Sequence, residues 1–391
     1  MKINLIIPSF YPAVIYGGPI FSTLHTCKEL SKINDTEVYV STTNANMNNR
    51  LDVETNRFIE LEKNLFVKYY NDTIINKISI PLLLNVWRDM KSCDVIHLQA
   101  MFSTPTPIVL FYNLFLKKPL LLSPRGSLAS WIIARGKKNK LRWLNYCIKP
   151  FYKKISFHAT AQQEKDEILT YFPNAKVFIV PNGIDLKEYS VINRLSKKEY
   201  MKKYANLNIE PEYIIISMGR LHAKKGFDIL INAFNELDKK FKNSVLLIAG
   251  DDETEGKNLK AQIKELNLEN RVFLIGSVSN QDKIDFLANA DLFVLPSHNE
   301  NFGNVYLESL AAGTPIIAST NTPWQMVEDF KCGKWVNNSI QETKNAMETM
   351  LVSINEKTSI QAKKLSNEFG WDSIAKQFKE VFTSMLKEKK L

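Results

Sequence analysis

The sequence predicts an α/β protein made of two doubly wound domains. Short, continuous apolar runs recur along all 391 residues and alternate with helix-length segments, as buried parallel strands joined by helices do. A chain of this length exceeds what one hydrophobic core usually organises, which favours two domains. Its composition, 45% hydrophobic and 24% charged residues, is that of a globular protein.

The first series of apolar runs predicts a domain over residues 1–185. Its strands are expected at residues 3–7, 37–41, 65–70, 95–98, 120–123, 156–160 and 177–180. Turn residues at 181–183 and a Lys-rich helical stretch at 195–204 then interrupt the pattern, and the linker is predicted there.

A second series predicts a domain over residues 186–368, followed by an amphipathic closing helix over 369–391. The second-domain strands are expected at residues 213–218, 245–249, 272–275, 292–295 and 315–318. The closing segment carries apolar side chains at helical spacing, namely Trp371, Ile374, Phe378, Val381 and Phe382.

Several classes of protein are excluded by the composition. No apolar run approaches the ~20 residues that a membrane-spanning helix needs. The first apolar run stops at Pro8 without a small-residue cleavage site, so a first strand is predicted rather than a signal peptide. The four cysteines are widely scattered, which argues against a zinc site and a disulfide framework. We expect a cytoplasmic protein.

The net charge of +10 is concentrated in one region. No acidic residue lies between Asp94 and Glu164, yet eleven of the 51 basic residues do, which leaves 40 basic against 41 acidic residues elsewhere. Residues 131–154 interleave these cations with aromatic side chains, a composition suited to an anionic membrane surface. Nucleic acid and a merely solvated face are the alternative interpretations.

A polar loop joins a strand to a helix after residue 295. The first amides of that helix, from Gly303 to Val305, have no intrahelical partners, and the helix dipole there favours an anion such as phosphate. Glu300 in the loop and Glu308 on the helix could flank one ligand. Alternatively, they are an ordinary loop charge and a side chain that reaches out to water.

Two other strand-to-helix turns carry residues suited to phosphate. Gly18 belongs to a glycine pair after the first strand, where a plain turn is the alternative to a phosphate loop. After strand 213–218, Arg220 offers a planar fork and Lys225 a point charge, both suited to a diphosphate; a solvated basic turn is the alternative. No two aspartates stand two apart, so we expect no metal and protein cations in its place.

Two residues follow strands of the first domain at the edge where open α/β sheets bind ligands. His97 ends the run at 95–98 and is either a structural histidine or a contact for an acceptor. Arg125 follows the run at 120–123, and we interpret it as a contact for an anion or an acceptor rather than as a base.

Together these segments resemble the retaining family-four glycosyltransferases of group 1. The resemblance covers nearly the whole chain and rests on the glycine pair, the His97 segment, residues 180–185, 220–226 and 300–315, and the Trp371 tail. It implies the GT-B fold, in which two Rossmann-like domains face a central cleft and a C-terminal helix crosses back to the first domain.

The resemblance also implies roles for individual residues. Glu300 would meet the transferring sugar and Glu308 the ribose, while Arg220 and Lys225 would neutralise the departing diphosphate. The main-chain amides of the intervening segment would also bind the diphosphate; its residues are Phe302, Gly303, Asn304 and Val305. Many family members carry a histidine about where this chain has Arg125, so that role is unfilled or altered here.

The implied activity is a retaining, metal-independent transfer of a hexose or N-acetylhexosamine. The donor would be a nucleotide-diphosphate sugar, with UDP favoured, and the acceptor a glycan or lipid-linked glycan of surface-polysaccharide synthesis. Because the family's acceptors are often lipid-linked, an anionic membrane at the inner face of the cell is favoured over nucleic acid. A nucleotide-sugar epimerase on the same architecture and a non-catalytic glycan- or membrane-binding module are the alternatives.

Overall fold

The computed structural model describes residues 1–73 and 78–389 and divides into two compact units. The first unit comprises Met1–Gly183 and Trp371–Leu391, and the second comprises Ile184–Gly370. The sequence placed residues 184–185 with the first domain and Phe369 and Gly370 with the closing helix, but all four belong to the second unit. There the Ile184 N–H donates to the Phe369 carbonyl over 2.8 Å. Residues 390–391 of the predicted closing segment lie outside the described residues.

The first unit alternates strands and helices along the chain. Its elements before the second unit are β1 (Lys2–Ser9), α1 (Gly18–Lys32), β2 (Glu37–Thr43), β3 (Ala45–Asn46), β4 (Asn49–Arg50), β5 (Phe58–Glu62), β6 (Leu65–Tyr70), α2 (Ile80–Ser92), β7 (Val95–Gln99), α3 (Pro105–Leu116), β8 (Leu120–Ser123), α4 (Ser130–Ala134), α5 (Lys137–Trp143), β9 (Ser156–Ala159), α6 (Gln162–Tyr171) and β10 (Lys176–Ile179).

The second unit repeats the alternation. Its elements are α7 (Lys197–Ala205), β11 (Tyr213–Met218), α8 (Phe227–Asn235), β12 (Ser244–Ala249), α9 (Gly256–Glu265), β13 (Val272–Leu274), α10 (Asn280–Ala288), β14 (Leu292–Leu295), α11 (Asn304–Ala312), β15 (Ile316–Ser319), α12 (Met326–Asp329), β16 (Gly333–Val336), α13 (Ile340–Ser353) and α14 (Glu356–Asn367). The last helix, α15 (Trp371–Glu388), returns to the first unit.

The first sheet has the strand order β10-β9-β8-β7-β1-β2-β6-β5. All pairs are parallel except β5 with β6, and all seven predicted strands are confirmed. Because β7 follows β2 in the chain but pairs on the other side of β1, the order reverses between β1 and β7. This reversal of strand order is the first switch point, and such sheets bind ligands at the carboxyl ends of the two strands beside it.

The second sheet has the strand order β13-β12-β11-β14-β15-β16 and is wholly parallel. The five predicted strands are confirmed, and the edge strand β16 is additional. Here the order reverses between β11 and β14. The loops after these two strands, at residues 219–226 and 296–303, therefore meet at the second switch point.

Each unit has its own buried core. On β1, Ile3, Leu5 and Ile7 face one apolar cluster and Ile6 faces another, so both faces of the first sheet are covered. Helix α15 completes the first of these clusters with Trp371, Ile374, Phe378 and Phe382, packing against α1. Among the helices of the described residues, none has both the length and the apolar character needed to cross a bilayer.

Candidate functional site

An ion pair links the two loops at the second switch point. Lys225 Nζ lies 2.6 Å from Glu300 Oε1, and the Ser297 hydroxyl donates to the same oxygen over 3.0 Å. The two charged side chains are only 18% and 11% exposed. Burial acts to raise the pKa of Glu300, but the charges of Lys225 and Lys224 and the hydrogen bonds outweigh it, so the pKa lies below its ordinary value. Glu300 is therefore ionised at neutral pH.

Close backbone contact holds these loops together. Gly226 has φ 67°, and a Cβ at this position would lie 2.3 Å from the Pro296 carbonyl oxygen. The His298 N–H donates to the Lys224 carbonyl over 2.8 Å, which adds a second direct link. Since a side chain at residue 226 would force the loops apart, glycine is required here.

The start of α11 lies next to this ion pair. Gly303 precedes the helix with φ 77°, and a Cβ there would lie 3.5 Å from Glu300 Cβ and 2.6 Å from the Tyr306 ring. The Tyr306 hydroxyl donates to the Leu295 carbonyl over 2.7 Å, which fixes the helix against β14. The structure thus brings Lys225, Glu300 and the first amides of α11, at Asn304 and Val305, into one continuous site where the helix dipole favours an anion.

The other residues predicted for this site differ in their exposure and in their partners. Arg220 lies on the same loop as Lys225, is 72% exposed and pairs with Glu253 over 3.0 Å. The Lys225 side chain lies against the start of this loop, because a Cβ on Gly219 would be 3.1 Å from Lys225 Cε. The two predicted cations, Arg220 and Lys225, are thus carried by one loop, which we call the cationic edge.

Glu308 and Phe302 differ in what they can offer. Glu308, on α11, pairs with Lys283 of α10 over 2.9 Å, and both side chains are about a quarter exposed. The side chain of Phe302 is in the core, 4% exposed and packed on Trp324, whose indole N–H donates to the Phe302 carbonyl. Phe302 can therefore meet a ligand through its main-chain N–H alone.

Gly18 opens α1 at the carboxyl end of β1 in the first unit. Gly17 precedes the helix with φ 75°, and a Cβ on either glycine would meet nothing within 4 Å. The helix start is thus open at this point. Across the described residues, no group of three or more His, Cys, Asp or Glu side chains is arranged to hold a metal ion.

Arg125 occupies the carboxyl edge of the first sheet, two residues after β8. Its Nε and Nη2 donate to Gln99 Oε1 over 3.2 and 3.0 Å, Nη2 donates to Thr23 Oγ1 over 3.3 Å, and Nη1 donates to Asn182 Oδ1 over 3.2 Å. Burial lowers the pKa of Arg125 from its ordinary value. The guanidinium still stays charged, because arginine does not lose its proton in proteins.

His97 is buried in the core of the first unit, which favours the structural interpretation over a contact for an acceptor. Its ring is completely buried and contacts Phe378 and Phe382 of α15 at centroid distances of 5.6 and 5.8 Å. Since Val180 O can only accept, His158 Nε2 carries the proton, Ser123 donates to His158 Nδ1, and His97 Nε2 donates to Ser123. These neutral tautomers tie β7, β8 and β9 together.

Three contributors were not predicted from the sequence, namely Ser297, Lys283 and Gln99. The position of Gln99 could have been predicted, because it is the last residue of β7 and its register partner Ser123 ends β8, directly before the Arg125 turn. The roles of Ser297 and Lys283 could not, because each acts through a carboxylate that the fold brings to it.

Each half of the chain matches the profile of a known family. Residues 16–188 match the profile of Glycosyltransferase Family 4, and residues 199–365 match the profile of Glycosyl transferases group 1. The chain belongs to the group 1, family 4 glycosyltransferases. This membership confirms the family resemblance, while the residue roles that it implies stay predictions.

Curated relatives match this glycosyltransferase over part of their length. An uncharacterized glycosyltransferase of Methanocaldococcus jannaschii is 33% identical over 174 residues, 44% of this chain and 41% of the relative. The alpha-monoglucosyldiacylglycerol synthase of Streptococcus pneumoniae is 26% identical over 58% of this chain and 52% of its own. The Staphylococcus aureus capsular polysaccharide biosynthesis glycosyltransferase CapM is 33% identical over 36% and 35%. The matched segments thus span less than two thirds of each relative.

Solved glycosyltransferase structures match nearly the whole fold. Anabaena HepE, crystallised in complex with UDP, has a TM-score of 0.74 at 20% identity, covering 98% of this chain and 100% of HepE. WaaG, a glycosyltransferase involved in lipopolysaccharide biosynthesis, has a TM-score of 0.67 at 15% identity, covering 97% and 99%. At these identities the likeness establishes the GT-B fold, with its two Rossmann-like halves.

Proposed function

We propose that this glycosyltransferase moves a hexose or N-acetylhexosamine from a UDP-sugar to a glycan or lipid-linked glycan, with retention of anomeric configuration and without a metal ion. The observation that carries this proposal is the Lys225–Glu300 ion pair beside the start of α11. It combines in one place a cation, an ionised carboxylate and helix amides, which are the groups that a sugar diphosphate requires.

The diphosphate would bind to the cationic edge and the helix start. Arg220, whose present partner is an exposed glutamate, can exchange that weak pair for a phosphate oxygen at little cost. Lys225 and the amides of Gly303, Asn304 and Val305 complete the donor set. These fixed charges stabilise the negative charge that grows on the leaving phosphate, which is the task a metal ion performs in other transferases.

Retention would follow from attack on the face that the diphosphate leaves. The bond between the anomeric carbon and the phosphate oxygen breaks, the acceptor oxygen bonds to that carbon, and the leaving phosphate takes the acceptor's proton. Because the pKa of Glu300 lies below its ordinary value, Glu300 serves as an acceptor for sugar hydroxyls and not as an acid. Glu308 holds the ribose hydroxyls, with Lys283 fixing its orientation.

The choice of donor and acceptor is supported by the relatives. HepE binds UDP, and its structure with UDP-glucose has the same fold as this chain. The S. pneumoniae relative is named for a glycolipid and CapM for capsular polysaccharide, which supports an acceptor in surface-glycan synthesis.

The proposed acceptor is reached at an anionic membrane surface on the cytoplasmic side. Phe115 on α3 and Tyr146 are 72% and 78% exposed, and α3 contacts the π-helical turn Leu144–Ile148 that carries Tyr146. Exposed cations of the same region are Arg135, Lys137, Lys138, Arg142, Lys149, Lys153 and Lys154. Apolar side chains among cations are what an anionic bilayer attracts.

The donor assignment can be tested by thermal unfolding with UDP-, GDP- and ADP-linked sugars, because a ligand that binds the native state raises the unfolding temperature. UDP-hexose or UDP-N-acetylhexosamine should give the largest increase, in the presence of EDTA as well as without it. NMR of the product formed on a glycan acceptor should show the anomeric configuration of the donor. An inverted product, or conversion of the donor without any acceptor, would contradict the proposal.

A further inference from the structure

Arg125 is held at the first switch point by an unusual backbone. Its φ of 58° is left-handed, a conformation that is unfavourable for a non-glycine residue, and Gly126 follows with φ 72°. The turn places the guanidinium beside Gln99, at the end of β7, and beside Thr23 of α1. Strained backbone at a ligand-binding edge is common where a side chain must be aimed.

The charge of this guanidinium is not balanced by a direct ion pair. Its partners are three neutral oxygens, and within the described ranges no carboxylate lies in salt-bridge distance of it. The nearby Glu164 is committed elsewhere: Oε1 accepts from the Gly126 N–H, and Oε2 accepts from the N–H and hydroxyl of Thr160. A largely buried cation with neutral partners alone is costly.

Donors outnumber acceptors around Arg125. Four of the five N–H groups of the guanidinium are directed at side-chain oxygens, which leaves one on Nη1. Gln99 Oε1 accepts from both Arg125 and Thr23, which fixes the amide orientation. Gln99 Nε2 is then a buried donor without an acceptor in the part of the chain that the structure describes. The spare Nη1 donor calls for an acceptor, and one that carries negative charge would also balance the charge of the guanidinium.

A purely structural role would not require arginine. A neutral amide side chain has two N–H donors, which are enough to bridge Gln99 and Thr23 and so hold β7, α1 and the turn together without a buried charge. The cost of the charge is offset when an anion binds, because a carboxylate or phosphate adds the attraction between opposite charges that a neutral oxygen lacks.

We propose that Arg125 binds an anionic group of the acceptor, so the acceptor carries a phosphate or a carboxylate near the hydroxyl that receives the sugar. This inference rests on the proposed function, because it assigns the first unit's switch point to the acceptor. Arg125 is a specificity-determining residue in this scheme: it selects anionic over neutral acceptors and orients the one that binds.

The test measures binding by calorimetry with UDP present at saturation, so that the diphosphate site is filled. The probes are glucose 1-phosphate, glucuronate and glucose, and the proteins are the wild type, Arg125→Gln and the control Arg88→Gln, which removes an exposed arginine of the first unit outside the basic region. The wild type and the control should bind at least one of the two anions at least tenfold more tightly than glucose. Arg125→Gln should lose that preference and bind UDP as the wild type does.

Equal anion binding by the wild type and Arg125→Gln, or no binding of either anion by the wild type, would overturn the inference. Should Arg125→Gln fail to fold, Arg125→Lys provides the second reading, because it keeps the charge but loses the planar fork and should bind the anion with intermediate affinity. Glucose 1-phosphate against glucuronate distinguishes phosphate from carboxylate. If the wild type does not bind UDP, the proposed donor is wrong. The anion titrations are then compared between the same proteins in the absence of UDP.

Discussion

Lys225 and Glu300 are 75 positions apart in the sequence, yet their side chains meet at 2.6 Å across the switch point of the second sheet. Lys225 comes from the loop after β11 and Glu300 from the loop after β14. The cation proposed for the diphosphate is therefore held in place by the carboxylate proposed for the sugar. Each group is oriented before the donor arrives, which reduces the ordering cost of binding.

Replacing Lys225 with Met should reduce kcat about 100-fold or more, since removal of one preorganised donor to a developing oxyanion typically costs that much. It should also destabilise the protein by about 3 kcal/mol, because Glu300 would remain as a nearly buried charge without its partner. Steady-state kinetics and chemical denaturation measure the two effects.

A double variant separates these effects. Combining Lys225→Met with Glu300→Gln should restore most of the lost stability, as the uncompensated charge is gone, but should not restore turnover. The single variant Glu300→Gln is the reference: turnover of the double variant equal to that of Glu300→Gln alone would show that Lys225 acts only by orienting Glu300 and not on the diphosphate.

Gly226→Ala should destabilise the second unit by more than about 3 kcal/mol and reduce donor binding. The new methyl group would lie 2.3 Å from the Pro296 carbonyl oxygen, so the loop that carries Glu300 must move. Gly276→Ala is the matched control: Gly276 also has a left-handed φ, 75°, but a Cβ there meets nothing within 4 Å. It should cost only about 1 kcal/mol of backbone strain. Equal losses in unfolding experiments would show that the close approach is not what matters.

The sheets were predictable from the sequence because buried parallel strands are short, continuous apolar runs. Four strands were missed. β3 and β4 are only two residues long, and β5 and β16 are half-buried edge strands, Phe58–Glu62 and Gly333–Val336, whose polar residues break such a run. In the site, Glu300 and Lys225 stood out because each follows a strand that ends in a polar loop. Their ion pair could not be predicted from the sequence, because it depends on β11 and β14 being neighbours in the sheet.

The partner of Glu308 shows the same limit and gives a prediction. Lys283→Met should raise the KM for the donor by up to about fivefold with little change in kcat, because Lys283 orients a group that binds the donor equally before and during reaction. Lys283→Arg should retain the pair and the wild-type KM. The control Lys203→Met removes the Lys203–Asp282 pair, made by the same helix α10, and should leave the KM unchanged. A fall in kcat alone in Lys283→Met would assign Lys283 to the chemical step instead.

Protein stability should fall as the pH is lowered from about 6.5 to about 3. Burial lowers the pKa of His97 well below its ordinary value and that of His158 to about 3, so both remain neutral in the folded protein while the unfolded chain takes up protons. Their stabilisation is complete above the unfolded pKa of 6.5 and is lost progressively below it. At pH 5, each such histidine should cost roughly 2 kcal/mol.

Denaturant unfolding at several pH values measures this dependence. The double variant His97→Asn, His158→Asn should be less stable at pH 8 but flatter in its dependence between pH 7 and pH 5. If that dependence is as steep as in the wild type, other groups are responsible for it.

Binding to vesicles tests the membrane surface proposed for the first unit. Vesicles with anionic phosphatidylglycerol should bind the protein, those of phosphatidylcholine alone should not, and added salt should weaken binding because it screens the attraction. Replacing Lys137 and Lys138 with Ala should weaken binding about 30-fold, at about 1 kcal/mol per charge near the surface. The control replaces Lys239 and Lys240, an exposed pair in the second unit, and should bind as the wild type does. Equal weakening by both pairs would indicate attraction by net charge without a defined surface, since only the first pair lies in the basic region with Phe115 and Tyr146.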